Sequence, residues 1–278
     1  MLVRLFPFVF LLALGLLPVS LCAQQRPLST EDPEPIGAGR IAAAAGVSAG
    51  TDIVFPLSGL RGTLYNLPLA SVTFGLGPSA DLQISGGPYD RLEISSRSTA
   101  PLSPLVHSTG LSTSDVHDIV LGTRVRWIDD VGGVAVGSLF AVRLPNAKHP
   151  SGLGQDTTDF SALLLVGKTV AGVRAAGNIG VTIMAEPLNA SKQNDVLAYG
   201  VSLTGGSNRA FAPLAEINGR KSTRKGTAPI GTESRSIARV GARFTRGRAT
   251  LDIAAGRGFN TIGPTMIFDV GLTRVFGE

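Results

Sequence analysis

From residue 40 onward, apolar and polar side chains alternate with a period of two, and the alternation restarts after each cluster of Gly, Pro, Asn or Ser. In the final segment Met266, Phe268, Val270, Leu272 and Phe276 share one parity, and Thr265, Asp269, Gly271 and Thr273 the other. Leu251, Ile253 and Ala255 oppose Thr250, Asp252 and Gly256; Ala238, Val240, Ala242 and Phe244 oppose Arg239, Gly241, Arg243 and Thr245. Leu197, Tyr199, Val201 and Leu203 oppose Ala198, Gly200, Ser202 and Thr204; Ile119, Leu121, Val125 and Trp127 oppose Asp118, Gly122, Arg124 and Arg126. Successive side chains of a strand point to opposite faces. Each segment therefore predicts a strand with one apolar face and one small or charged face, whereas a helix would scatter the same residues around its circumference.

The breaks between segments have a rhythm. Those near Gly77-Pro78-Ser79, Asp129 to Gly132, Val170-Ala171-Gly172, Gly205-Gly206-Ser207 and Arg246-Gly247-Arg248 read as tight. Those at Ser96 to Ser114, Leu144 to Thr157, Glu186 to Asn194 and Gly219 to Ser234 read as long and polar. Alternating short and long connections are the habit of outer-membrane barrels, with short turns on the periplasmic side and long loops outside. A soluble two-sheet sandwich shares the apolar-in, polar-out alternation but has no reason for that rhythm. The prediction is an all-β fold over residues 40–278: an antiparallel transmembrane β-barrel of about 12 strands, both termini periplasmic. A soluble periplasmic sandwich is the rival fold.

Composition sharpens this. The chain is 44% hydrophobic and 16% charged, with a mean hydropathy of +0.26. Past the N-terminus, however, no run of roughly 18 apolar residues reads as a spanning helix. A chain that is hydrophobic overall but never continuously so is apolar at alternate positions. The exception is the start, where Arg4 precedes the apolar run Leu5 to Leu17 and Ser20-Leu21-Cys22-Ala23 leads into Gln24. That is the layout of a secretory signal over residues 1–23, cut after Ala23, and its apolar run is shorter than the ~20 residues a spanning helix needs. Cys22, the one cysteine, follows bulky Leu21, which disfavours a lipid anchor. Cleavage after Ala23 would leave no cysteine for disulfide, zinc or thiol chemistry. Loss of Arg4 takes Lys+Arg from 25 to 24 against 20 Asp+Glu, a net charge of +4. Residues 24–39 are rich in Pro and acid, and with so little apolar surface they predict a disordered leader.

The stretch Leu139-Phe140-Ala141-Val142-Arg143-Leu144-Pro145, followed by Gly152-Leu153-Gly154-Gln155-Asp156-Thr157-Thr158-Asp159-Phe160, resembles a family of bacterial outer-membrane proteins labelled as a component of a meta-pathway of phenol degradation. Asn194 to Val201 and Phe211 to Glu216 are similar as well, and the likeness extends over residues 60 to 276. It implies an outer-membrane barrel with a role in passing small molecules, aromatic or hydrophobic ones among them. It carries no catalytic residues to transfer. One departure is the end of the chain, where Gly277-Glu278 follows the aromatic Phe276.

Candidate chemistry lies on the second face. By parity, Asp118, Arg124, Arg126, Asp159, Arg174, Glu216, Arg239, Arg243, Asp252 and Asp269 should line a lumen, since a charge on the lipid face costs about 2–4 kcal/mol at mid-membrane. They could tune permeation or simply pair across the interior and fill it. Gly46-Val47-Ser48-Ala49-Gly50 spells a nucleophile elbow but sits in a strand of small residues without the strand-to-helix turn that gives the motif meaning. His117 shares parity with Ile119 and Leu121 and should face outward; His107 and His149 fall in long loops beside prolines. No cofactor or metal set is spelled out, and nothing points to an enzyme. Asn189-Ala190-Ser191 reads as an incidental glycosylation spelling, and Gly219 to Lys225 as a solvated basic loop able to meet phosphates of lipopolysaccharide. The expected partners are outer-membrane lipid, lipopolysaccharide and a small-molecule solute, with no nucleic acid. The function implied is an outer-membrane channel or transporter with a charged bore; the alternative is a closed structural or adhesin-like barrel acting through its long loops.

Overall fold

The structure, a computed structural model, describes residues 28–206 and 210–277. The expected signal segment and the first residues of the leader lie outside that range. Fourteen strands follow in order: β1 (Ile41–Phe55), β2 (Leu60–Gly75), β3 (Ala80–Gly86), β4 (Asp90–Arg97), β5 (Ser112–Asp115), β6 (Ile119–Val131), β7 (Val134–Leu144), β8 (Asp159–Val170), β9 (Val173–Glu186), β10 (Asn189–Thr204), β11 (Phe211–Ser222), β12 (Arg235–Arg246), β13 (Ala249–Gly258) and β14 (Ile267–Phe276). Strand β2 pairs with β4 through Leu60–Asn66 and with β3 through Ala70–Gly75, so β3 and β4 are two lengths of one stave. Likewise β5 pairs with β4 and β6 with β3. Every neighbour is antiparallel, and β1 pairs with both β2 and β14. The result is a closed barrel of twelve staves with no free edge left to template aggregation.

Parity explains the burial. Along β14 exposed and buried residues alternate strictly from Phe268 to Phe276. Trp127, Val240, Phe268 and Leu272 are 60%, 67%, 51% and 55% exposed on the outside, while Arg124, Asp252 and Thr273 are buried within. Apolar outside and polar inside is the distribution expected when the surrounding solvent is lipid. No helix among the described residues is long and apolar enough to cross a membrane.

One end of the barrel carries short connections: residues 76–79, 132–133, 171–172, 205–210 and 247–248. The tightest suit their residues. Gly132 and Gly133 both adopt positive φ (64° and 78°), as a two-residue hairpin turn of the primed type requires. Long loops 98–111, 145–158, 223–234 and 259–266 occupy the other end, together with two short links, 56–59 and 187–188. The connection at 187–188 corrects the sequence reading of a long loop from Glu186 to Asn194. Those polar residues extend β10 through a bulge between Asn189 and Gln193; polarity on both faces of a strand mimics a loop wherever neither face is buried in lipid.

The leader is a second correction. Residues 28–39 lie inside the barrel, with Leu28, Thr30 and Ile36 buried at 7%, 3% and 4% exposure. The chain turns in beside the start of β1, where the Gly39 N–H donates to Gly75 O, and Leu28 ends against Leu214 and Ala254. Low apolar content misled the sequence reading because acidic side chains supply the contacts instead.

Candidate functional site

The interior is built as a ladder of arginine–carboxylate contacts, and all ten charged residues expected in the lumen take part. Arg239 Nε donates to Asp269 at 3.0 Å and its Nη1 to Glu216 at 3.2 Å. Arg243 donates to both Asp252 oxygens at 2.8 and 3.0 Å. Arg124, wholly buried, pairs with the equally buried Asp81 at 2.5 Å and donates to the Asp32 carbonyl at 2.8 Å. Asp118 and Asp159 converge on one guanidinium, that of Arg143, the latter through two bonds of 2.9 and 2.6 Å. Arg126 and Arg174 bind carboxylates of the leader. Such pairs match the planar two-pronged geometry that arginine offers a carboxylate.

Parity did not select Arg143 or Asp81. Arg143 shares its face with Leu139 and Ala141, which hides the polar signal, and Asp81 opens a short strand. The leader carboxylates were missed for want of any pattern linking them to residues ninety or more positions away. His117 is a further correction. It faces inward, with Nδ1 2.7 Å from Asp90, whose other oxygen accepts from Asn66 Nδ2 at 2.6 Å. The interruption at residues 116–118 between β5 and β6 breaks the register that parity assumed.

The leader threads this ladder as an extended strap. Asp32 accepts two bonds from Arg174 at 2.7 and 2.6 Å, Glu34 accepts from Arg126, and Ile36 N–H donates to Asp81 at 3.2 Å. Farther in, Glu216 Oε1 accepts the Ser29 and Thr30 N–H groups at 2.8 and 2.5 Å. These bonds satisfy an extended backbone that would otherwise be stranded away from water. The wall is shaped to admit it. A Cβ at Gly200 would stand 2.7 Å from Thr30 Oγ1, and one at Gly167 would stand 2.3 Å from the Arg174 guanidinium and 3.0 Å from Pro33. A larger residue at either position would force these neighbours to shift.

Space remains along the opposite wall. A cavity of ≈ 380 Å³ lies between the leader and β1, β2, β3 and β7, lined by Ser29, Ser48, Asn66, Ser71, Gln83 and Asp269 among others. A second, of ≈ 270 Å³, lies toward the long loops beside Asp90, His117, Arg143, Arg220 and Arg235. Val120 lines both, so the two adjoin. At the long-loop end Gln155 accepts from Arg143 and donates to the Gly231 carbonyl, drawing loops 145–158 and 223–234 together over the bore.

Ser48 of the elbow-like spelling lies within β1, and no histidine lines its cavity. The cavity that contains His117 has no serine, threonine or cysteine among its lining residues. No group of three or more His, Cys, Asp or Glu able to hold a metal occurs among the described residues. His149 Nε2 contacts the Gln155 carbonyl at 3.1 Å, a loop contact.

No family model and no curated protein matches the chain. Solved structures do. An outer-membrane channel from Pseudomonas putida F1 superposes with a TM-score of 0.57 at 15% identity, covering 90% of this chain and 100% of its own. The NanC porin superposes at 0.54 with 8% identity, covering 84% and 98%. The chain has the fold of outer-membrane β-barrels. At these identities the likeness is one of fold, and the narrower similarity to the phenol-pathway family rests on sequence alone.

Proposed function

We propose that this protein is an outer-membrane channel that passes small solutes through a bore narrowed by its own leader. The observation that carries the reading is a pair of adjoining cavities, one of ≈ 380 Å³ beside the leader and one of ≈ 270 Å³ with a mixed polar and apolar lining toward the long loops. A barrel meant only to be solid would fill that volume with side chains, as small barrels do. The charged bore selects solutes by charge, and the exterior meets lipid and, around the long loops, lipopolysaccharide. The short-turn end, where the leader enters, is the periplasmic one. The phenol-family resemblance is consistent with solutes that carry an aromatic or hydrophobic body. Planar-bilayer recording of the mature chain tests this: discrete conductance steps and solute flux into vesicles are expected, and an electrically silent barrel would refute it. The seated leader favours a second reading, a closed barrel acting through its loops. That reading predicts silence in the same recording.

A further inference from the structure

We infer that the long-loop cavity is a binding site for a small organic carboxylate with an apolar body. Arg220 and Arg235 are direct cross-strand partners on β11 and β12, and both line this cavity. Like charges placed opposite one another destabilise a sheet unless something neutralises them. Elsewhere in the ladder arginines meet carboxylates; here, among the described residues, neither arginine forms an ion pair. Arg220 donates only to backbone carbonyls, of Glu233 at 3.0 Å and Gly231 at 3.3 Å. The Nε of Arg235 is fully buried with no hydrogen-bond partner, and a buried donor left unmatched is costly.

The neighbouring carboxylates already have partners, save Asp159 Oδ1, which is buried without one. Asp90 is held by Asn66 and His117, and Asp118 by Arg143 and the N–H groups of Asn146 and Ala147. Asp159 Oδ2 takes two bonds from Arg143, and Glu233 Oε2 accepts the Gly231 N–H. Among the residues that line the cavity, three guanidiniums (Arg143, Arg220 and Arg235) stand against two carboxylates (Asp90 and Asp118), a surplus of one positive charge with His117 counted as neutral. Phe55, Leu57, Leu64 and Leu153 line the same cavity and would receive an apolar body. A guanidinium pair and apolar side chains lining one cavity match an amphiphilic anion. Polar groups that converge beside apolar side chains are the usual make-up of a small-molecule site.

This deepens the channel reading by naming a solute class, and binding can be measured without transport. Calorimetric titration of the detergent-folded mature protein with benzoate, its neutral near-isostere benzamide and inorganic phosphate makes the test. Benzoate should bind at least tenfold more tightly than benzamide or phosphate. Arg220→Gln and Arg235→Gln should each weaken benzoate at least tenfold, and Arg235→Lys should retain most of the affinity; heat-dependent gel migration verifies that each variant is folded. Benzamide or phosphate matching benzoate, an unaffected Arg235→Gln variant, or no benzoate binding by folded protein would each overturn the site. Benzoate binding by a protein silent in bilayers would retain the site and remove the channel. Conductance without benzoate binding would do the reverse.

Discussion

Arg124→Met tests whether the interior ladder holds the barrel together. The Arg124 side chain is 0% exposed, as is that of its partner Asp81, so methionine of similar length removes the counter-charge from that buried carboxylate and from Glu31 at 3.7 Å. Breaking a buried pair from one side costs about 3–5 kcal/mol. The lower part of that range is expected, because Asp81 keeps the Ile36 N–H at 3.2 Å and the Gln83 amide at 3.3 Å. At 1.4 kcal/mol per decade, about 3 kcal/mol is a hundredfold loss in the folding equilibrium. Replacing the fully buried partner as well, as Arg124→Met with Asp81→Asn, removes the more deeply stranded charge and should recover at least half of the loss, Glu31 being partly exposed. The assay is reversible urea unfolding in lipid vesicles. Trp127, the one tryptophan, lies 60% exposed on the outer face and will report departure from lipid by its fluorescence. A single variant within about 1 kcal/mol of the parent, or a double variant as unstable as the sum of its parts, would refute the reasoning.

Asp32→Asn with Glu34→Gln removes both leader carboxylates that clasp Arg174 and Arg126, worth roughly 3 kcal/mol together for charged hydrogen bonds at partly shielded sites; single-channel recording should show wider or more frequent openings than the parent. Gly200→Leu, placed where a Cβ would stand 2.7 Å from Thr30 Oγ1, should unseat the inner end of the leader and expose it to added protease, while the barrel itself resists. Val240→Arg sets a charge on the outer face at a site 67% exposed, near the middle of β12, and should cost about 2–4 kcal/mol in vesicle unfolding. Thr250→Ala, on the inner face of the same wall, should cost about 1 kcal/mol or less.

Much of the barrel is legible in the sequence because its solvent rule is simple. Where both faces of a strand meet uniform surroundings, as in β12 to β14, period-two alternation places Arg239, Arg243, Asp252 and Asp269 inward without further information. The rule weakens where a strand is interrupted. At 116–118 the stave resets its register, and His117 turns in. It weakens again beyond the lipid, where Ser191 to Asp195 are polar on both faces and imitate a loop. The leader was illegible for a different reason. Its ordering rests on Asp32 and Glu34 meeting Arg174 and Arg126 across the bore, contacts between residues 142 and 92 positions apart. Local composition carries no trace of such pairs. A faint sign was present in Gly167 and Gly200, inward glycines in long strands, which mark where a second segment comes close.

The most direct measurement compares planar-bilayer conductance of the chain from Gln24 with that of a chain beginning at Arg40, in which the leader strap is removed. A bore narrowed by its own leader predicts small steps in the parent and severalfold larger ones after truncation, with Asp32→Asn/Glu34→Gln falling between. Silence in all three folded proteins, or equal conductance with and without residues 28–39, would contradict it.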